Sequence, residues 1–324
     1  MPLKSRPFEL TSYTPELTKS DRRLAPARAD RPLRGIALII GSTVFLACSD
    51  AMAKYLSLSL PSIEIAWIRF LVFVIIVLPA ALTTAPNAFR SVRPGLQAFR
   101  GAALLSSSVL FITGLRFLPV AEASATSFVA PLFVTALSIA FLGEKVGVRR
   151  WLATIVGLCG VLIIVRPGSS TFDPAALFPV LSAFGWACTL IVTRMISGKD
   201  RAITTMAYSS VVGLCILTAM VPLVWVTPSW RDIVLGLMVG IASTTGQWIV
   251  VLAFRYADAS VLAPFSYTQL VSATILGFLI FGDVPDIWTI VGAAVIIGSG
   301  IYTAHRERVR RAQLPIAAEP YPSA

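Results

Sequence analysis

Four charged residues stand inside two apolar stretches in the first quarter of the chain. Asp50 and Lys54 lie in CSDAMAKYL, and Glu64 and Arg69 in SIEIAWIRF. Each such charge costs about 2.5–3.5 kcal/mol at the centre of an inserted helix, so each needs a partner or a wet cavity. Asp50 and Lys54 are spaced to share one helix face. At a rise of about 1.5 Å per residue, Asp50 and Arg69 reach matching depths in an antiparallel helix pair, with Lys54 and Glu64 shallower. The expected pairs are therefore Asp50 with Arg69 and Lys54 with Glu64. Two uses fit this pattern: ion pairs that clamp two helices, or a cation (Arg69 or Lys54) that meets an anionic or polar part of a solute, with Asp50 or Glu64 as its counter-charge.

Further polar and aromatic groups sit at similar depth. Trp67, Trp186, Gln247, Trp248, Tyr267 and Gln269 combine flat faces with amides and a hydroxyl, a set that could hold a planar heterocycle. The same aromatics could equally serve helix packing or the interfacial belt. Glu122 and Asp258 each begin an apolar span, where the helix dipole favours an acid; the alternative is a protonatable coupling site. Pro131 and Pro264 interrupt their spans, and each frees a carbonyl that can bend the helix or face a cavity.

The elements that must position these groups are membrane helices. Hydrophobic residues make up 56% of the 324 residues, only 13% are charged, and the mean hydropathy is +0.80, too apolar for a soluble surface. About 20 apolar residues cross a bilayer. Ten stretches are read as spans: 35–57, 62–83, 97–117, 119–142, 150–166, 174–195, 204–226, 232–254, 259–281 and 285–304. With the N-terminus inside, the cytoplasmic side collects 22 of the 27 Lys and Arg, so both termini are expected in the cytoplasm.

The chain also repeats itself. Gly114–Glu144 returns as Ala253–Asp283, each copy an Arg-bearing turn, an apolar span broken by Pro, then Gly plus an acid. Thr154-Ile-Val-Gly157 returns as Thr289-Ile-Val-Gly292. The expected architecture is an all-α polytopic membrane protein of ten transmembrane helices, arranged as two inverted five-helix repeats. Its parts would be a disordered cytoplasmic tail (1–33), a first repeat (34–166), a second repeat (167–304) and a cytoplasmic tail (305–324).

Several function classes drop out. The net charge of +11 sits in tails and short loops rather than on one face, so no nucleic-acid partner is expected. All four cysteines lie in apolar spans and His305 is the single histidine, leaving little for a metal site or histidine catalysis. No GxxxxGK[ST] loop is present, which argues against ATP-driven pumping. Short loops and scattered acids argue against an integral membrane enzyme on a lipid-linked substrate, and no filter-like ring points to a channel.

DAMAKYL, the arginine of WIRF, GEKVGVRRW before a glycine-rich span ending IIVRPG, and the repeated alanine-rich fourth and ninth spans resemble the EamA-type drug/metabolite transporter superfamily. The resemblance covers about 34–304. It implies a central cavity, alternating access and movement of a small organic metabolite across a bacterial inner membrane, without a cofactor. The DxxxK element and downstream arginine look most like the branch of S-adenosylmethionine and riboflavin carriers; export of amino acids, drugs or other metabolites is the alternative. Transport would follow the solute gradient or be coupled to protons or exchange, in a monomer or homodimer surrounded by lipid. In the second half Leu190, Thr204 and Ser209 stand where Asp50, Glu64 and Arg69 would be. A charge-dependent site would then be built mainly from the first half.

Overall fold

A computed structural model describes residues 32–84, 89–143, 148–166, 173–196, 200–253, 256–257, 262 and 265–313. Its helices are α1 (Pro32–Leu56), α2 (Ser62–Thr84), α3 (Pro94–Phe117), α4 (Val120–Ser127), α5 (Ala130–Leu142), α6 (Val148–Val165), α7 (Leu177–Ile196), α8 (Ala202–Met220), α9 (Trp230–Ala253), α10 (Thr268–Phe281) and α11 (Ile287–Gln313).

Local chemistry sets the ends. Pro94 opens α3, where its missing N–H costs nothing. Pro131 stands in the first turn of α5, and the chain breaks ahead of it. The Phe128 and Val129 amides bond back only three residues, to the Ala125 and Thr126 carbonyls. Gly143 and Gly282 end α5 and α10 with φ of 65° and 72°, a left-handed cap that glycine adopts without strain.

The first three helices pack on the second half of the chain rather than on one another alone. Helix α1 lies against α9 and α10, α2 against α8 and α9, and α3 against α7 and α8. Helix α6 crosses α11 through facing glycines: a Cβ at Gly160 would sit 2.8 Å from the Gly292 carbonyl oxygen. Small residues permit such approach where lipid offers no hydrophobic drive between helices. Large apolar side chains such as Ile75, Phe141 and Leu279 are 60–70% exposed, as lipid-facing residues should be.

Seven of the described helical segments are long and apolar enough to cross a membrane, with α4 and α5 counted as one: α1, α2, α3, α4–α5, α7 with the turn before it, α8 with the turn after it, and α9. The other three apolar stretches are Trp151–Val165, Thr268–Phe281 and Ile287–Tyr302. At about 1.5 Å per residue these reach roughly 21–24 Å, short of a hydrocarbon core about 30 Å thick. The expectation of ten transmembrane helices in two inverted five-helix repeats is thus corrected. The chain is an all-α polytopic membrane protein whose described residues supply seven crossing helices.

Candidate functional site

The site is best built from α1 and α2. Arg69 stands seven residues into α2, half-buried, and among the described residues its guanidinium donates no hydrogen bond. Its five N–H donors are left unspent among the described residues. The charge acting on it is that of Asp50, although no direct ion pair joins the two. Asp50 is only 6% exposed, and its carboxylate accepts a long hydrogen bond from Gln269 Nε2 at 3.4 Å. Next to this group the Thr43 and Thr268 hydroxyls share a bond of 2.9 Å, tying α1 to α10.

Lys54 does not pair with Glu64. Its ammonium meets Asp283 at 2.9 Å and lies 4.8 Å from the centre of the Phe281 ring. The left-handed turn at Gly282 carries Asp283 to that place. Glu64, fully buried, instead accepts from the Val226 amide at 3.1 Å, while its second oxygen has no partner among the described residues.

The other expected residues divide. Trp67 donates to the Thr218 hydroxyl at 3.0 Å and meets Trp225 edge-on, with ring centres 6.2 Å apart. Tyr267 packs its ring 4.9 Å from that of Phe128, beside the break ahead of Pro131, which is itself exposed. Trp186 and Gln247 are half-buried on α7 and α9, and Trp248 is exposed. Asp258 and Pro264 lie outside the described residues.

Glu122 lines a cavity of about 220 Å³ with Arg166, Asp283, Asp286 and Thr289. Arg166 binds Asp286 at 2.6 Å and caps α6 with φ of 49°, a left-handed conformation rare outside glycine. Burial raises the Asp286 pKa, but the Thr289 hydroxyl and amide and Arg166 outweigh it and hold the carboxyl below its ordinary value. Two ion pairs and a further acid thus gather where α1, α6, α10 and α11 meet. At the opposite end Asp200 accepts from Ser91, Gln97 and the Val92 amide. Those bonds outweigh the effect of burial and lower its pKa.

Asp283, Arg166 and Asp286 were not among the expected site residues. The repeated Gly-plus-acid ending and the arginine of IIVRPG were the signals available for two of them.

This arrangement, charges held in an apolar bundle around open space, is what a carrier of polar solutes requires. The EamA-like transporter family model matches the chain twice, at residues 33–166 and 173–303. The chain belongs to the EamA-like transporter family. It is a multi-pass membrane protein of the drug/metabolite transporter superfamily and a transporter of a small metabolite.

Its relatives within the superfamily carry different cargoes. The chain is 30% identical to the S-adenosylmethionine uptake transporter of Rickettsia prowazekii, over 85% of this chain and 94% of the relative. It is 29% identical to the riboflavin transporter of Vibrio cholerae, over 82% and 91%. With the pseudopaline exporter of Pseudomonas aeruginosa it shares 26% identity over 81% and 93%. A protein of known crystal structure, 18% identical, superposes with a TM-score of 0.61 over 86% of this chain and 99% of its own, which speaks to fold alone.

Proposed function

We propose that this EamA-family protein is a secondary transporter that carries a small heterocyclic metabolite across a bacterial inner membrane by alternating access. S-adenosylmethionine-like and riboflavin-like compounds are the first candidates. The observation that carries this reading is Arg69, a guanidinium with donors unspent among the described residues, set near buried Asp50 and its partner Gln269. Such a cation supplies strong, directional hydrogen bonds to a polar ligand in a low-dielectric cavity. In this reading Trp67, Trp186, Gln247, Trp248 and Tyr267 hold the ring system, and Lys54 and Glu64 border its path. Glu122, Asp258, Pro131 and Pro264 serve coupling or gating, with Glu122 as proton carrier. The two family repeats occupy 34–166 and 167–304.

Export is the second reading. A relative named as an exporter favours it over an obligate uptake role. Proteoliposomes loaded with unlabelled S-adenosylmethionine or riboflavin should accumulate the labelled compound transiently by counterflow. Influx of either compound that grows linearly with concentration and shows no counterflow would argue for a channel and against the proposal. Reversing the loaded side reports direction.

A further inference from the structure

A second arginine lies inside the bundle with no acid bonded to it among the described residues. Arg100 stands two turns into α3. Its Nε donates to the Thr193 hydroxyl of α7 at 2.7 Å, and its Nη1 donates to the Ser209 hydroxyl and the Thr205 carbonyl of α8. All three partners are neutral. Asp200, a described carboxylate at this end, is occupied by Ser91, Val92 and Gln97. Nη2 of Arg100 has no partner among the described residues, yet it is not sealed off and reaches open space.

An arginine needed only to hold helices together would be expected to meet a carboxylate, because desolvating a lone cation is costly. Arg100 spends its Nε and Nη1 on hydroxyls and a carbonyl, which fix the plane of the fork and leave Nη2 presented. The N–H groups left on Nη2 are suited to a charge-assisted hydrogen bond with a carboxylate oxygen.

The location adds an independent argument. Ser209 occupies in the second family repeat the position of Arg69 in the first, 140 residues earlier. Arg100 reaches Ser209 from the neighbouring helix and so sets a guanidinium at the position that matches Arg69. Two guanidinium groups with unused donors thereby stand in the bundle, Arg69 on α2 and Arg100 on α3, both supplied by the first half of the chain.

We propose that Arg100, oriented by Thr193 and Ser209, is an anion-binding station for the carboxylate of the substrate, and that the substrate is a carboxylate-bearing metabolite rather than a neutral one. The substrate half of this inference rests on the transporter reading above; the anion station does not. Among the candidates, S-adenosylmethionine carries a carboxylate and riboflavin carries none.

Two measurements test it. The first uses the full chain in lipid nanodiscs and phenylglyoxal, which modifies accessible guanidinium groups, with Arg100 followed by peptide mass spectrometry. Arg100 should be labelled, and labelling should slow at least threefold when acetate replaces chloride at constant ionic strength. An unlabelled Arg100, or one indifferent to acetate, overturns the anion station whatever the protein carries. The second compares binding of S-adenosylmethionine, its decarboxylated form and riboflavin to the wild type, Arg100→Gln and Arg100→Lys.

Arg100→Gln should weaken S-adenosylmethionine by about 10- to 100-fold and leave the decarboxylated form within twofold, with Arg100→Lys in between. Equal losses for both forms would mark Arg100 as a merely structural residue. Tighter binding of riboflavin, unmoved by either variant, would overturn the substrate class. Absence of binding by all three compounds would count against the substrate candidates, while the labelling result still decides the station.

Discussion

Replacing Lys54 by Met removes one charge of the pair that ties the end of α1 to the turn between α10 and α11 and keeps the aliphatic stem. The partners are 2.9 Å apart, with side chains 15% and 29% exposed. At that separation and an effective dielectric constant of about 20, the Coulomb attraction is roughly 6 kcal/mol. Desolvation of both groups consumes most of it, which leaves a coupling of about 1–3 kcal/mol. Methionine retains the stem against Phe281 but forfeits the cation–π contact, worth about 0.5–1 kcal/mol. A double-mutant cycle of Lys54→Met, Asp283→Asn and their combination, read by unfolding of the purified protein in detergent, isolates the pair. Each single change should destabilise, and the double variant should fall little below the worse single. Additive losses, within about 0.5 kcal/mol, would refute the claim that these two charges depend on each other.

Two further outcomes follow from the neighbouring pair. Arg166 holds a left-handed conformation that costs a non-glycine residue about 1 kcal/mol, and its pair with Asp286 is part-exposed and contributes about as much or less. Arg166→Gly should therefore leave thermal stability nearly unchanged while Arg166→Ala lowers it; equal melting temperatures for the two variants would contradict the strain. Asp286 has a folded pKa below its ordinary 3.8, so its stabilising contribution is complete above that value and is lost as pH falls through the depressed one. Melting temperature should drop with acidification below about pH 4, and Asp286→Asn should flatten part of that drop; a parallel profile in the variant would remove Asp286 from the account.

Runs of apolar residues located α1, α2, α3, α7, α8 and α9 to within a few residues, because a span must satisfy every backbone group internally and can hardly be anything but helix. The same reasoning misjudged α6, α10 and α11. Hydropathy marks apolar content, and these stretches are apolar, but their apolar helical lengths stop short of a full crossing. Pro131 announced a disturbance, whereas the actual break into α4 and α5 depends on the tightened turn at Phe128 and Val129.

In the site, depth counting could compare only helices adjacent in sequence. It brought Asp50 and Arg69 into one neighbourhood, yet it could not see that Asp283, 229 residues away, would take Lys54. Arg100 counts among the 22 Lys and Arg assigned to the cytoplasmic side, three residues into the span read from 97. With Pro94 opening the helix, the same residue lies two turns inside. Gln269 was singled out for its amide at membrane depth, and the fold brings it to Asp50.

The central claim is that the interior guanidinium of Arg69 contacts the transported solute. Uptake by wild type, Arg69→Lys and Arg69→Gln, measured for S-adenosylmethionine and riboflavin at matched protein abundance in proteoliposomes, addresses it directly. Loss of a charged hydrogen-bonding partner predicts at least a tenfold fall in uptake efficiency for Arg69→Gln with protein folding intact, and a smaller fall for Arg69→Lys. Wild-type uptake by Arg69→Gln would contradict the account.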